Sequence, residues 1–467
     1  MKRAITVASA ALCLTGCATA TAERQLAWQP CAGADDPVGY ECAEVEVPVD
    51  WDAPHGAKLP LRIARLPSTD PAQRIGSVVF NPGGPGASGI EDLKASADNV
   101  TELRTRFDVV TWEPRGSWPT WSQAQEEACV MTGPEFTFPR NQAEFDAKAA
   151  ENAAQADRCR ELAPELYDNM DSASHARDLD AIREALGEEK LNYFGQSYGG
   201  VIGVSYARLF PQQVRTMFLD SIVNHTASDE RADELRALER TDLFNRFVAW
   251  CGETESCTMR GEDVRAVWRD LLAEAERAPI PVAGTELAYS AFDLENAMQP
   301  FLGVSRYAEL DQAIAAARNG DATVFTMPSQ GRKPWHPSAM LATQCADGFT
   351  YRTYEDFEAA AERARRLTPD FPHALPGLQT TCLGWEVTNP RGPLNGENLP
   401  PILGAAGANE LLTTREVASH VPGSTVIEFP GVYHGLYMAA GNRCVIDHAN
   451  RYFTDTTLPP EGTVCEA

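Results

Sequence analysis

The sequence LNYFGQSYGGVIGVSYARLF, residues 191–210, decides the fold. Residues 191–194 carry the large apolar and aromatic side chains of a buried strand, and residues 197–210 have the composition of a helix. Gly195 and Gly199 stand where the chain must pass from one to the other, and glycine permits sharp turns that other residues resist. A strand that leads at once into a helix is the repeating unit of α/β folds.

The same alternation extends in both directions from this stretch. Before and just after it, strands are predicted at residues 44–49, 59–66, 77–80, 107–112 and 216–219, with a helix at 174–187. Beyond residue 400, strands are predicted at 402–405 and 425–429 and helices at 415–420 and 443–453. The apolar runs 77–80 and 107–112 are typical of parallel strands buried on both faces of a sheet.

The intervening segment has a different pattern. Its apolar residues follow helical spacing at 229–250, 262–276, 291–301, 306–319 and 354–367. The sequence therefore predicts an α/β core, with a mostly parallel central sheet, at residues 30–222 and 399–467. A large helical cap insertion at 223–398 interrupts it.

Composition and charge limit the classes of function. Of the 467 residues 43% are apolar, which is enough for a full core and excludes a mainly disordered chain. The 66 acidic and 40 basic residues give a net charge of -26. Such a surface repels phosphate backbones, so we expect no nucleic-acid partner.

The first residues predict export. Lys2 and Arg3 precede an apolar run at residues 4–14, which is too short to span a bilayer. Leu14-Thr15-Gly16-Cys17 follows and looks like a bacterial lipobox, so residues 1–17 are predicted to be a signal peptide and lipobox with Cys17 as the lipidated residue. The alternative is an ordinary secretory signal cleaved at about residues 18–22. We expect an extracytoplasmic protein, secreted or attached to the cell envelope through its N-terminal lipid anchor only.

The cysteines support this compartment. Ten remain beyond Cys17, and an even number outside the cytosol indicates disulfides. They form five local couples in chain order, so the predicted pairs are Cys31–Cys42, Cys129–Cys159, Cys251–Cys257, Cys345–Cys382 and Cys444–Cys465. Close thiolate pairs of the CxxC type are missing from the sequence, so we expect no metal site and no cofactor.

Ser197 is the candidate nucleophile. It lies at the centre of a GxSxG sequence between a strand and a helix, the context in which a serine hydroxyl becomes exposed at a sharp turn. Asn81-Pro82-Gly83-Gly84-Pro85-Gly86 directly follows another strand, where backbone amides could bind a developing oxyanion. Gly83, Gly84 and Tyr198 are therefore the candidate oxyanion hole, although a plain Gly/Pro turn is the alternative for residues 81–86.

A serine nucleophile requires a base and an acid, which follow it along the chain in this fold. His434 comes just after the predicted strand 425–429, whereas His420 and His448 lie within helical patterns. Glu410 is the only carboxylate after the strand 402–405. The alternative acid is Asp220, which ends the preceding strand and could instead fix the end of that strand by hydrogen bonds.

Several motifs together resemble one family. The chain is similar to the secreted tripeptidyl aminopeptidase branch of the proline iminopeptidase (S33) family of α/β-hydrolases over nearly its whole predicted mature length. The motifs are WQPC at Trp28, VPVDWDAP at Val47, NPGGPGASG at Asn81, PRG at Pro114, HARDLDAIREALGEEKLNYFGQSYGG at His175, YARLFPQQVR at Tyr206, FLDSIV at Phe218, CADG at Cys345, CLGW at Cys382 and the final GVYHG.

The resemblance implies a role for each matched residue. Ser197 matches the nucleophile of the family, His434 its base, and Gly83, Gly84 and Tyr198 its oxyanion hole. Cys345 and Cys382 lie where its cap region is cross-linked. Two motifs differ from the family: GANELLTT has Glu410 where GxxDPxTP has aspartate, and Glu113-Pro114-Arg115 begins the segment where the family has DPRGxGxS.

The same resemblance implies a serine exopeptidase that releases short peptides, tripeptides in this branch, from free amino termini. A cap carboxylate should then bind the substrate ammonium group, and Asp229, Glu230, Asp233 and Glu234 are candidates. The alternatives are a carboxylesterase or endopeptidase with the same triad, or a catalytically silent envelope lipoprotein that binds a peptide. The sequence gives no expectation for the oligomeric state.

Overall fold

A nine-stranded sheet organises the chain. The computed structural model describes residues 26–33, 35–117, 129, 137–303, 305–329 and 337–466, so the predicted signal peptide, lipobox and Cys17 lie outside the described residues. The sheet strands are β1 (Gln29–Pro30), β2 (Glu41–Pro48), β3 (Lys58–Leu66), β4 (Gly76–Asn81), β5 (Phe107–Trp112), β6 (Leu191–Gln196), β7 (Val214–Asp220), β10 (Leu403–Gly407) and β11 (Thr425–Phe429). A separate hairpin comprises β8 (Ile280–Pro281) and β9 (Ala288–Tyr289).

The sheet is mostly parallel, as predicted. Its spatial order is β1-β2-β3-β5-β4-β6-β7-β10-β11. The pairs among β1, β2, β3 and β5 are antiparallel, and the pairs from β5 through β4, β6, β7 and β10 to β11 are parallel. The carboxyl ends of the parallel strands therefore lie along one edge, where α/β proteins place their sites.

Helices flank the sheet and form the cap. In the described residues they are α1 (Gly89–Ala95), α2 (Gln142–Leu162), α3 (Pro164–Tyr167), α4 (Ser172–Ala185), α5 (Gly199–Leu209), α6 (Asp229–Glu253), α7 (Val264–Arg277), α8 (Ala291–Leu302), α9 (Tyr307–Arg318), α10 (Pro337–Ala346), α11 (Tyr354–Leu367), α12 (Ala374–Gly377), α13 (Leu411–Ser419) and α14 (Arg443–Asp455). None of these described helices is long and apolar enough to cross a membrane.

The cap has a hydrophobic core of its own. Residues between β7 and β10 contribute no described strand to the main sheet, and helices α6 to α9 bury a cluster that includes Phe244, Phe247, Trp268 and Phe301. One helix outside the predicted insertion also packs on this layer: the Asn152 side chain of α2 donates to the Thr380 and Leu383 carbonyls. The layer over the sheet is therefore larger than residues 223–398.

The structure contains all five predicted disulfides: Cys31–Cys42, Cys129–Cys159, Cys251–Cys257, Cys345–Cys382 and Cys444–Cys465. Their number supports a protein that folds in an oxidising compartment.

The unusual Glu113-Pro114-Arg115 segment has a structural role. The Glu113 carboxylate is buried and accepts from the Ser88 hydroxyl at 2.6 Å, which holds the start of α1. The Arg115 guanidinium is fully buried and forms a bidentate pair with Asp178 of α4 at 2.6 and 2.7 Å. It also donates to the Val49 carbonyl. These contacts tie the end of β5 to α4 and the end of β2.

Candidate active site

Ser197 lies on a strained turn between β6 and α5. Its φ is 56°, in the left-handed region that costs a non-glycine residue free energy, and its N–H donates to the Asp220 carbonyl at 3.1 Å. A Cβ atom on Gly199 would lie 2.6 Å from the Asn81 carbonyl oxygen, and one on Gly195 would lie 2.6 Å from that of Gly199. The two glycines are therefore required by the turn, which has the geometry of a nucleophile elbow.

The loop at residues 81–86 lies directly against this turn. A Cβ atom on Gly83, which has a φ of 91°, would lie 2.5 Å from the Tyr198 amide nitrogen and 2.9 Å from Ser197 Cβ. The Gly83 N–H itself donates to Asn81 Oδ1 at 2.9 Å. Gly83 thus brings the loop close, but its amide is occupied, which corrects its predicted place among the oxyanion donors.

Two amides remain for an oxyanion. Within the described part of the chain, neither the Gly84 N–H nor the Tyr198 N–H has a hydrogen-bond partner. One comes from the loop after β4 and the other from the residue after Ser197, which is the combination expected of this fold.

His434 is paired with Glu410. His434 Nδ1 and Glu410 Oε1 lie 2.7 Å apart, and the histidine side chain is 47% exposed. His434 follows β11, and Glu410 lies between β10 and α13. Burial by itself lowers the pKa of His434, but the hydrogen bond and charge of Glu410 outweigh it and raise this pKa above its ordinary value. A proton on Nδ1 leaves Nε2 as the free acceptor that a general base needs.

Asp220, the alternative acid, has other partners. Its fully buried carboxylate accepts from the Leu436 and Tyr437 amides at 3.0 and 2.8 Å and from the Ser221 hydroxyl at 3.0 Å. Burial raises its pKa to about 6 despite these hydrogen bonds. Since its carbonyl also accepts the Ser197 N–H, Asp220 connects the serine turn and the histidine loop to the end of β7. The carboxylate that contacts the His434 imidazole is therefore that of Glu410.

A buried network behind Tyr198 was not predicted from the sequence. The Tyr198 hydroxyl donates to Asp347 Oδ2 at 2.6 Å, and Asp347 Oδ1 accepts from the Ser172 amide, the Ser172 hydroxyl and the Asn389 side chain. Burial raises the pKa of Asp347 to about 7. The CADG motif contained this aspartate, but only the fold shows that it holds the residue after Ser197.

The four carboxylates proposed to bind an ammonium group do not line the cavity beside Glu410. Asp229 is paired with Arg391, Asp233 with Arg236 and Arg363, and Glu234 with Arg231. Glu230 lines a different cavity, together with Asp229. Asp229, Asp233 and Glu234 therefore already have arginine partners.

The cavity beside Glu410 has a volume of about 240 Å³ and lies between α6 and the β10–α13 connection. Glu239 and Arg240 of α6 line it, and the side chain of Phe349 forms part of its wall. Glu239, which sequence reasoning missed, is only 6% exposed and accepts from the Thr413 amide and hydroxyl at 2.8 and 2.9 Å. Burial, helped by the charge of Glu410, raises the pKa of Glu239 to about 7.

The sheet order, the serine turn and the His434–Glu410 pair at the same sheet edge are those of a serine hydrolase. The chain belongs to the α/β-hydrolase fold family, whose model matches residues 76–439. It is similar to serine protease Hip1 of Mycobacterium tuberculosis, with 27% identity over 98% of this chain and 96% of that protein. It is also similar to tripeptidyl aminopeptidase of Streptomyces coelicolor, with 28% identity over 93% and 86%. Carboxylesterase B of M. tuberculosis is 27% identical over 94% and 90%.

Proposed function

We propose that this serine hydrolase is an exopeptidase that releases short peptides, and tripeptides in particular, from free amino termini. The observation that carries the proposal is the cavity beside Glu410 with the buried carboxylate of Glu239 in its wall. The similarity to a tripeptidyl aminopeptidase and to a serine protease supports it.

The reaction follows from the site. Ser197 Oγ attacks the scissile carbonyl while His434 Nε2 takes its proton, and Glu410 stabilises the imidazolium that forms. The Gly84 and Tyr198 amides bind the oxyanion. The imidazolium then gives the proton to the leaving amine, and water hydrolyses the acyl-enzyme with His434 again as base.

Glu239 is the proposed partner of the substrate ammonium group. Among the described residues its buried carboxylate forms no ion pair, and burial raises its pKa to about 7. An ammonium group that entered the cavity would provide a positive charge to pair with it. A substrate with a blocked amine would leave the carboxylate buried and unpaired, which disfavours it.

Hydrolysis of a tripeptidyl aminomethylcoumarin with a free or an acetylated amine tests the proposal. We expect the wild type to cleave only the free form, Ser197→Ala to cleave neither, and Glu239→Gln to lose most of the preference. Glu234→Gln, on the same helix but exposed and outside the cavity, is the matched control.

Other outcomes separate the alternatives. Equal cleavage of both forms would contradict an exopeptidase and favour an endopeptidase, and cleavage of esters alone would favour a carboxylesterase. A fluorophosphonate probe that failed to label Ser197 would favour a silent binding protein.

We also propose that the enzyme is exported and held at the membrane by lipid on Cys17. The lipobox and the five disulfides support this location. Metabolic labelling with a fatty-acid analogue should mark the wild type, whereas Cys17→Ala should be unlabelled and released from membranes. Release of the wild type without label would support the ordinary secretory signal instead.

A further inference from the structure

An unpaired buried arginine lines the cavity beside Glu410. Arg240 of α6 is 5% exposed, and its guanidinium makes no hydrogen bond or ion pair with any described residue. Its one described contact is with the ring of Phe371, whose centroid lies 5.3 Å from the guanidinium carbon. Buried guanidinium groups are normally paired, because an isolated charge loses its hydration without compensation.

The carboxylate of Glu295 does not meet this need. Glu295 is close enough for its charge to act on Arg240, but it accepts the His373 N–H at 2.8 Å, and its other oxygen lies 2.7 Å from His373 Nδ1. Burial lowers the pKa of His373, and the hydrogen bond and charge of Glu295 outweigh it and raise this pKa. Glu295 is thus already engaged by His373, and burial lowers the pKa of Arg240 to about 10.

Two neighbouring donors in the cavity wall are also unused. Asn224 Oδ1 accepts from the Thr226 amide, the Thr226 hydroxyl and the Ala227 amide, which fixes the orientation of its side chain. Its Nδ2 is buried without a partner, as are Arg236 Nε and Arg240 Nη1. All three residues line the cavity. Three donors of one cavity wall that have no partner in the protein match a ligand that accepts hydrogen bonds and carries negative charge.

From these observations we propose that the cavity binds a carboxylate of the substrate, an acidic side chain of the peptide, through Arg240 with Asn224 and Arg236. The volume of about 240 Å³ is below the roughly 300 Å³ at which small-molecule sites begin, so it suits a single residue of the substrate rather than a whole peptide. That residue is the amino-terminal one, with its ammonium group at Glu239 and its acidic side chain at Arg240. The inference rests on the proposed peptidase function and adds a substrate class to it.

The test compares peptide substrates that differ only by glutamate or glutamine at one position, taken in turn at each position of a tripeptidyl aminomethylcoumarin. We expect the wild type to prefer glutamate at one position by about tenfold or more in kcat/KM, as for a buried charge pair. Arg240→Met should bring the ratio close to one and keep cleavage of the glutamine substrate. Arg231→Met, on the same helix but with an exposed and paired guanidinium, should keep the preference.

Unfolding measurements make the test independent of activity. Because Arg240 has no partner in the free enzyme, Arg240→Met should leave the unfolding temperature unchanged or raise it. A fall typical of a broken buried ion pair would show that the fold already satisfies the guanidinium and would overturn the proposal. Absence of any glutamate preference in the wild type, or its persistence in Arg240→Met, would also overturn it.

The carboxylate site and the peptidase function on which it rests would be rejected by different results. Cleavage of the glutamine peptides that depends on Ser197, without any glutamate preference, would reject the carboxylate site and leave the peptidase intact. A lack of Ser197-dependent cleavage of every peptide would reject the peptidase function first. In that case, binding can be measured with the Ser197→Ala protein. If glutamate peptides raise its unfolding temperature more than glutamine peptides do, and this difference is lost in Ser197→Ala/Arg240→Met, the carboxylate site is supported. If there is no such difference, the site is rejected.

Discussion

The proposal that Glu410 is the acid of the triad rests on a single contact, between His434 Nδ1 and Glu410 Oε1. Glu410→Gln should lower kcat by about 10³- to 10⁴-fold, because the amide cannot stabilise the imidazolium and favours the wrong tautomer. The hydrogen bond and charge of Glu410 are what raise the pKa of His434 against the effect of burial. The acid limb of kcat/KM, where protonation of His434 abolishes its function as base, should therefore move to lower pH in this variant.

Glu410→Asp is the matched control, since it keeps the charge and the residue type usual in the family. It should retain more activity than Glu410→Gln and keep the acid limb nearer its original pH. An acid limb at the same pH in the wild type and in Glu410→Gln would contradict the assignment. Asp220→Asn should instead lower the unfolding temperature as well as activity, because Asp220 holds the histidine loop through two backbone amides.

Tyr198 offers a second prediction at this scale. Its amide is a proposed oxyanion donor and its hydroxyl is held by Asp347 at 2.6 Å. Tyr198→Phe and Asp347→Asn should each lower kcat by about ten- to hundredfold with little change in KM, because a small displacement of a donor mainly weakens transition-state binding. The rate of phosphonylation by a fluorophosphonate should fall in parallel. An increase in KM with unchanged kcat would assign the network to substrate binding instead.

The sequence predicted the candidate reacting groups of the site better than the residues that hold these groups in place. Ser197 and His434 were visible because a GxSxG turn and a histidine after the last strand are local signals tied to element order. Glu410 was preferred as the acid. Asp220 stayed open as the alternative, because both lie at the same sheet edge and only the register of the loops decides which of them reaches the ring. Asp347, Glu239 and Arg240 depend on cap packing, which leaves no spacing signal in the chain.

Among the elements, α2 shows where pattern reading fails. Its sequence QAEFDAKAAENAAQADRCREL is rich in alanine and charge and lacks a continuous apolar stripe, so no amphipathic helix was predicted. The helix is instead fixed by side-chain hydrogen bonds from Asn152 and by the disulfide Cys129–Cys159. The sheet strands were predicted closely because their apolar runs have the buried environment of a parallel sheet.

The disulfides of the cap should differ in their effects. Cys345–Cys382 encloses 37 residues and Cys251–Cys257 encloses 6, so loop-closure entropy gives contributions of about 4 and about 2 kcal/mol to the free energy of unfolding. Cys345 also lies two residues before Asp347. Cys345→Ala/Cys382→Ala should therefore lower both stability and kcat, and Cys251→Ala/Cys257→Ala should lower stability by less and leave kcat unchanged.

Urea unfolding and steady-state kinetics on the two double variants provide the measurement. Equal loss of kcat in both would contradict a specific connection between the Cys345–Cys382 disulfide and Tyr198, because it would show that the cap affects catalysis only through its overall stability.

For the whole molecule, buried carboxyl groups determine how stability responds to pH. Burial raises the pKa of Asp220 to about 6 and those of Glu239 and Asp347 to about 7. In the unfolded chain these groups titrate at about 4. The folded protein therefore binds protons more tightly at these sites, and its stability increases as pH falls through the folded pKa values. His434, whose pKa is raised, acts in the same direction.

Two buried histidines oppose this trend at lower pH. Burial lowers the pKa values of His175 and His225 to about 3, so below about 6.5 the unfolded chain takes up protons that the folded chain does not. Between pH 8 and 6.5 the carboxyl groups of Glu239 and Asp347, whose pKa values in the folded protein are about 7, take up protons ahead of the histidines of the unfolded chain. The unfolding temperature should consequently rise over that interval on acidification and change much less below it.

The unfolding temperature measured from pH 8 to 5 checks these opposite effects of the carboxyl groups and the histidines. The variant Glu239→Gln isolates the contribution of one carboxyl group. This variant should show a smaller rise between pH 8 and 6.5 than the wild type, because one of the groups responsible has been removed, while the behaviour below pH 6.5 should be nearly unchanged. A wild type that loses stability from pH 8 to 6.5 would show that Glu239 and Asp347 are already paired with positive charge in the folded enzyme. That result would remove the electrostatic reason for an ammonium group at Glu239, so the pH dependence of stability bears directly on the proposed recognition of a free amino terminus.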